Sequence, residues 1–400
     1  MVEKCIVILA GTIEIHQPLY RLFLKTICHP VHLIPSTDLH LLETELNALL
    51  EHREVWIFPS NEITLNNLYT IINTGRIKAV ERLKVPGTAI VNQNQELTAQ
   101  QISNKSLLFS ILKDREFKNL QKVRTQLLQI NKNFELNHYI DQISFPIIIK
   151  PAQKDKMDSF TQYFPSKILM VETASEFVKI FDFLANQFLD CQFLVQQIIP
   201  GITISWGGYI YQGEFWGYQV TSLIKSPSAQ YGGTTTLAEI KECDDKLGQA
   251  INELAQILKL DGVFEIELIA QDNQYYFFYE INPRPWLQVA LLLQQEYNIF
   301  LQYLSKNGFS IREHSSTNQV KVQKQWGSAI RYLELNEKQN TKISLKIILM
   351  ILKAEIYYSQ FFSYKQKIQY TFYLLKYLLK MLAQGKLESL VKSESSYIYK

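Results

Sequence analysis

Residues 264–286 read FEIELIAQDNQYYFFYEINPRPW, two alternating strands around a polar Asp272-Asn273 turn, which is the pattern of a β-hairpin. Side chains alternate faces along a strand, so Glu280 and Asn282 point the same way. A two-residue turn at 272–273 or 273–274 sets Glu267 on that face too, directly across from Glu280 or one diagonal step away. Two carboxylates and an amide oxygen then converge on one patch. Such oxygen ligands suit a hard divalent cation, and magnesium commonly completes its shell with the phosphate oxygens of a nucleotide. Asn-Pro-Arg-Pro halts the second strand and holds Arg284 near its end, where the forked guanidinium matches a phosphate or a carboxylate. A single glutamate on a strand is most simply a solvated residue. Here both acids lie among Phe, Ile, Leu and Tyr, which favours the metal reading.

Elements upstream must position a second set of charges. Phe145-Pro146-Ile147-Ile148-Ile149-Lys150-Pro151 is a proline-led apolar run ending in lysine. It predicts a buried strand, and a lysine at its end is costly unless an anion meets it. Asn104-Lys105 opens the helical run SLLFSILKDREF, and Lys167 starts another apolar strand, Ile168-Leu169-Met170-Val171. Taken singly, each lysine is an ordinary surface residue; their order along the chain is more specific.

That order, with Phe193-Leu194-Val195-Gln196-Gln197-Ile198-Ile199-Pro200-Gly201 and the Glu-x-Asn-Pro-Arg hairpin, resembles the ATP-grasp superfamily over about residues 103–300, and most of all its carboxylate–amine ligase branch, D-aspartate ligase-like and carbamoyl-phosphate-synthase-like proteins included. The resemblance implies ATP between two lobes, with Lys105, Lys150 and Lys167 on its phosphates and adenine on the hinge at Gln196, Gln197 and Ile199. It implies Mg2+, or Mn2+, on Glu267, Glu280 and Asn282. Arg284 and Lys150 become the catalytic pair. The reaction implied joins a small-molecule carboxylate to an amine through an acyl phosphate, with release of ADP. Three features depart from the family pattern. The hinge has Gln196-Gln197 where a glutamate is usual, Thr203 stands where an acid often holds ribose, and the loop AQKDKMDSFTQYFPS after Lys150 contains no glycine. A glycine-free loop cannot bring its backbone as close to phosphate, which leaves Lys154 and Lys156 as substitutes.

The chain has 400 residues, 41 basic and 38 acidic side chains, enough for two or three domains and too balanced for a nucleic-acid partner. Cys5, Cys28, Cys191 and Cys243 are scattered without metal spacing, as in structural thiols of a reducing compartment. The N-terminus carries no signal-peptide pattern and no apolar stretch approaches membrane-spanning length, so a cytoplasmic protein is expected. The expected fold is α/β. Residues 1–102 form a Rossmann-like parallel-sheet unit, 103–195 a small nucleotide-covering lobe and 196–310 a metal-bearing lobe, followed at 311–400 by a helical, basic extension. The helix over DDKLGQAINELAQILKLDG has Asp244 or Asp245 as N-cap and Gly262 just past its end. The segment SPSAQYGGTTT reads as a strand connection or as a loop over the acyl acceptor, with Lys225 beside it as a further phosphate candidate. Between 341 and 400 ten lysines face three glutamates. Those basic helices pack on the core or on a second copy of the chain, or they lie on an anionic membrane. Two other functions stay open: a nucleotide-binding regulator with little catalysis, and a membrane-surface protein working through its tail.

Overall fold

Four parallel strands begin the fold, in the spatial order Val31–Pro35, Glu3–Ala10, Arg53–Pro59 and Leu83–Lys84. This computed structural model describes residues 3–91, 95–130, 136–152, 157–164, 168–226, 233–293, 298–312, 324–338, 342–358 and 364–388. The first strand is apolar throughout because both of its faces are covered. Cys5, Val7 and Leu9 pack against Leu42, Leu46, Leu68 and Ile71 of the helices Leu39–Leu50 and Glu62–Asn73. Ile6 and Ile8 face the other way, onto Leu19 and Phe23 of the helix Ile13–Thr26, and join a core with Trp286, Phe300 and Tyr303. Asp38 caps one helix by accepting from the backbone N–H groups of His40 and Leu41, and Asn61 with Thr64 forms a capping box on the next.

Two further sheets follow, antiparallel except where Gln121–Lys122 pairs in parallel at one edge of the larger. The smaller runs Leu169–Val171, Ile147–Pro151, Gln192–Gln197, Thr125–Gln129. The larger has seven strands, ordered Gln325–Gly327, Thr234–Glu242, Glu214–Ser226, Ile202–Tyr211, Gly262–Gln271, Gln274–Asn282, Gln121–Lys122. Its first and last members come from segments that the sequence division gives to the C-terminal extension and the small lobe. The helix Lys105–Leu112 likewise joins the large sheet's core through Leu108 and Leu112. The helix Asp245–Leu258 buries Leu247, Ile251, Leu254 and Leu258 beneath Phe264, Ile266 and Leu268. Asp244 is its N-cap, but the helix ends before the expected glycine: Lys259 takes the left-handed conformation (φ 43°) and Gly262 instead opens the next strand.

The C-terminal helices Ala329–Lys338, Leu345–Tyr358 and Tyr364–Ala383 share a core of Leu333, Ile347, Ile351 and Met381 with Leu237 of the large sheet. Among the described residues no helix is long and apolar enough to cross a membrane.

Candidate active site

Glu267, Glu280 and Asn282 owe their placement to a hairpin with an irregularity that alternation alone does not predict. Asp272 and Asn273 both have positive φ, 50° and 61°, the two-residue turn whose twist suits a hairpin. Pairing runs from Gln271↔Gln274 to Leu268↔Phe277, then resumes at Ile266↔Ile281 and Glu265↔Asn282. Between those points Glu267 alone faces Phe278, Tyr279 and Glu280. Tyr279, at φ 62°, is the left-handed residue of this bulge. Its ring is buried against Phe109 and Phe277, and that packing offsets the cost of the left-handed backbone. Two extra residues leave the facing of the strand unchanged. A regular hairpin would pair Glu280 with Glu265; the bulge slides it alongside Glu267.

The same register adds an acid that the sequence reading missed. The Asn282 Nδ2 donates to Glu265 at 2.9 Å and to Glu267 at 3.3 Å. Glu265 stands two residues before Glu267, so strand alternation already placed both on one face. It is buried, and burial, followed by the neighbouring Glu267 charge, pushes its carboxyl well above the usual carboxylate range; Arg284, Asn282 and Ser205 pull the other way.

Cations arrive from four separate places. Lys105 Nζ lies 3.0 Å from Glu280 Oε1 and Lys150 Nζ lies 3.9 Å from Oε2, both lysine side chains being almost completely buried. Lys105 is the first residue of its helix, after the N-cap Asn104. A positive side chain at the positive end of a helix makes the spot doubly receptive to an anion. Lys225 donates to Thr203 Oγ1 at 2.7 Å. Burial pushes its ammonium below the usual range, while Glu267 and Glu280 oppose that shift. Arg284 donates through Nε to Glu62 Oε2 at 3.2 Å and through its terminal nitrogens to Pro285 O at 3.0 Å and Asn282 Oδ1 at 3.5 Å. Glu62 begins a helix of the N-terminal unit and also accepts from Ser103, so the hairpin's end is tied to that unit.

Among the described residues no three His, Cys, Asp or Glu side chains are arranged to share a metal ion. The expected set is two carboxylates and one amide, and Glu280 now faces the two lysines. In chemistry two carboxylates and an amide oxygen fit a hard cation, with the Asn282 amide turned so that Oδ1 in place of Nδ2 meets the carboxylates.

No family model matches this chain, and no curated protein matches it in sequence. Solved structures do. An N5-carboxyaminoimidazole synthetase from Staphylococcus aureus aligns over 84% of this chain and 85% of its own, at 14% identity and TM-score 0.54. A D-alanine–D-alanine ligase from Bacillus anthracis, complexed with ATP, aligns over 76% and 96%, at 14% identity and TM-score 0.51. An L-amino acid ligase from Bacillus licheniformis aligns over 81% and 78%, at 15% identity and TM-score 0.50. The chain has the ATP-grasp fold.

Within that ATP-grasp fold the hinge glutamines separate. The small sheet buries Ile147, Ile149, Phe193, Val195 and Leu128 in its own core. Lys150 pairs with Leu194, and Gln196 with Ile148 and Thr125, so Lys150 and Gln196 share the opposite face. Gln196 is buried and donates to Thr125 Oγ1 at 2.9 Å. Gln197 pairs with Ile147 and is exposed; its side chain is not on the face of Lys150, a correction to treating the two alike. Ile199 is buried just past the strand. Thr203, at the ribose position of the family pattern, meets Lys225 where an acid was looked for. Lys154, Lys156, Lys167 and residues 227–232 of the threonine-rich loop lie outside the described residues.

Proposed function

We propose that this protein is an ATP-dependent ligase that joins a small-molecule carboxylate to an amine, with ADP and phosphate as by-products. The observation that carries this reading is the convergence of Lys105 and Lys150, from a helix and from the small sheet, on Glu280 of the large-sheet hairpin. Two buried lysines meet the half-buried Glu280 of the hairpin, and such a cluster is expensive without a charged ligand to serve.

ATP enters with its phosphates toward Lys105 and Lys150 and its base toward Gln196 and Ile199. The lysines then exchange the Glu280 carboxylate for phosphate oxygens. Glu267, Glu280 and Asn282 are the residues that would hold a magnesium ion, which would supply neutralisation of phosphate charge. Arg284 orients the substrate carboxylate. A carboxylate oxygen attacks the γ-phosphorus, the bond to the β–γ bridging oxygen breaks, and ADP leaves. The amine nitrogen next attacks the acyl carbon, phosphate departs with the bonding pair, and a proton is lost from nitrogen. Positioning and charge stabilisation do this work without a nucleophilic side chain.

ADP and phosphate release, measured with Mg-ATP against a panel of carboxylic acids and amines, tests the reading. Turnover that needs both an acid and an amine and disappears in Glu267→Gln is the expected result; ATP consumption that Glu267→Gln leaves intact would overturn it. The glycine-free segment after Lys150, helical over Met157–Tyr163, and the uncharged Gln196 favour one second reading, a nucleotide-binding regulator, which Mg-dependent ATP binding without product release would support.

A further inference from the structure

The last helix, Tyr364–Ala383, carries two apolar faces where a packed helix needs one. Leu374, Tyr377, Leu378 and Met381 pack into the C-terminal core. On the adjoining side Ile368, Phe372, Leu375, Leu379 and Leu382 follow one another in alternating steps of four and three, a continuous stripe along a helix about 30 Å long. Phe372 is 70% exposed, Leu379 57%, Leu382 55% and Leu375 51%. Single exposed apolar residues are ordinary on a protein surface, whereas a contiguous stripe marks a docking surface.

Charge chooses the occupant. The helix contains Lys365, Lys367, Lys376 and Lys380 and no acid. By helical period Lys365, Lys376 and Lys380 lie along one flank of the stripe. A second copy of this helix would bring four more lysines against these and no carboxylate. An anionic lipid surface instead receives the apolar side chains below its headgroups while Lys365 and Lys376 reach the phosphates. The helix is already held in place from behind by its buried face and by the Lys380–Glu337 ion pair, so binding requires no folding of a free segment. We infer that the helix Tyr364–Ala383 is a peripheral docking surface for anionic membranes, lying in the headgroup plane without crossing the bilayer.

Co-sedimentation of the full chain with vesicles of phosphatidylcholine alone, or mixed with phosphatidylserine, tests this. The expected result is binding to the mixed vesicles only, weakened by salt. Phe372→Asp with Leu379→Asp should abolish binding while leaving the circular dichroism spectrum unchanged, since both sites are exposed. Lys365→Glu with Lys376→Glu should weaken it about fivefold or more per lysine. No binding to mixed vesicles would overturn the inference, as would binding that both double variants retain. A dimer that Phe372→Asp with Leu379→Asp dissociates, with no vesicle binding by the parent chain, would equally overturn it in favour of self-association.

Discussion

The acids and the cations of the candidate site are assembled in opposite ways. Glu265, Glu267, Glu280 and Asn282 all sit on one hairpin, joined by the short-range register of two neighbouring strands. Lys105, Lys150, Lys225 and Arg284 come from a helix, the small sheet, a distant strand of the large sheet and the segment after the hairpin. The negative half is therefore built by local geometry and the positive half by tertiary packing. Each half is poorly tolerated alone. Glu265 is crowded toward its neutral form by burial and Glu267, and Lys225 toward its neutral form by burial. Together the two halves offset one another's charge.

Removing the residue where the halves meet should have the largest effect. Glu280→Gln strands Lys105 and Lys150 without their carboxylate. A loss of about 3 kcal/mol in urea unfolding is expected, and a loss below about 1 kcal/mol would mean that the cations do not depend on the hairpin. Removing the cations instead should strike ligand more than fold. Lys105→Met or Lys150→Met each removes one cation from beside Glu280, and each should weaken Mg-ATP binding by about tenfold or more, read by calorimetry. Lys225→Met separates the two effects most cleanly. It removes a desolvated ammonium but keeps an apolar stem, so stability should change by no more than about 1 kcal/mol, while ATP turnover falls. Unchanged turnover would take Lys225 out of the positive half. The smallest contrast lies at the hinge. Gln196→Ala breaks the bond to Thr125 and should cost about 1 kcal/mol, whereas Gln197→Ala, at an exposed position, should cost less than about 0.5 kcal/mol. Equal losses would mean that the face assignment is wrong.

The same contrast governs what was legible in the sequence. The parallel sheet of the first unit, the apolar strand ending in Lys150 and the Asp272-Asn273 turn follow from local pattern. So does the shared face of Glu267 and Asn282. Glu265 is equally accessible by alternation, two residues before Glu267 on the same face. The bulge at Tyr279 was not legible, because a tyrosine in the left-handed region is stabilised by ring packing on Phe109, a contact between distant segments. The link from Arg284 to Glu62 was invisible for the same reason, the partners lying 222 positions apart. The end of the helix Asp245–Leu258 shows local chemistry misread: Gly262 was taken as the stop, yet Lys259 accepts the left-handed conformation and the glycine serves a close approach to Gly87.

Calorimetric titration of ATP into the full chain, with and without magnesium, and into the Lys105→Met, Lys150→Met double variant, addresses the central claim most directly. ATP binding that needs magnesium and is lost in the double variant is the predicted result. No binding of ATP by the parent chain, or binding indifferent to both magnesium and the two lysines, would contradict the account.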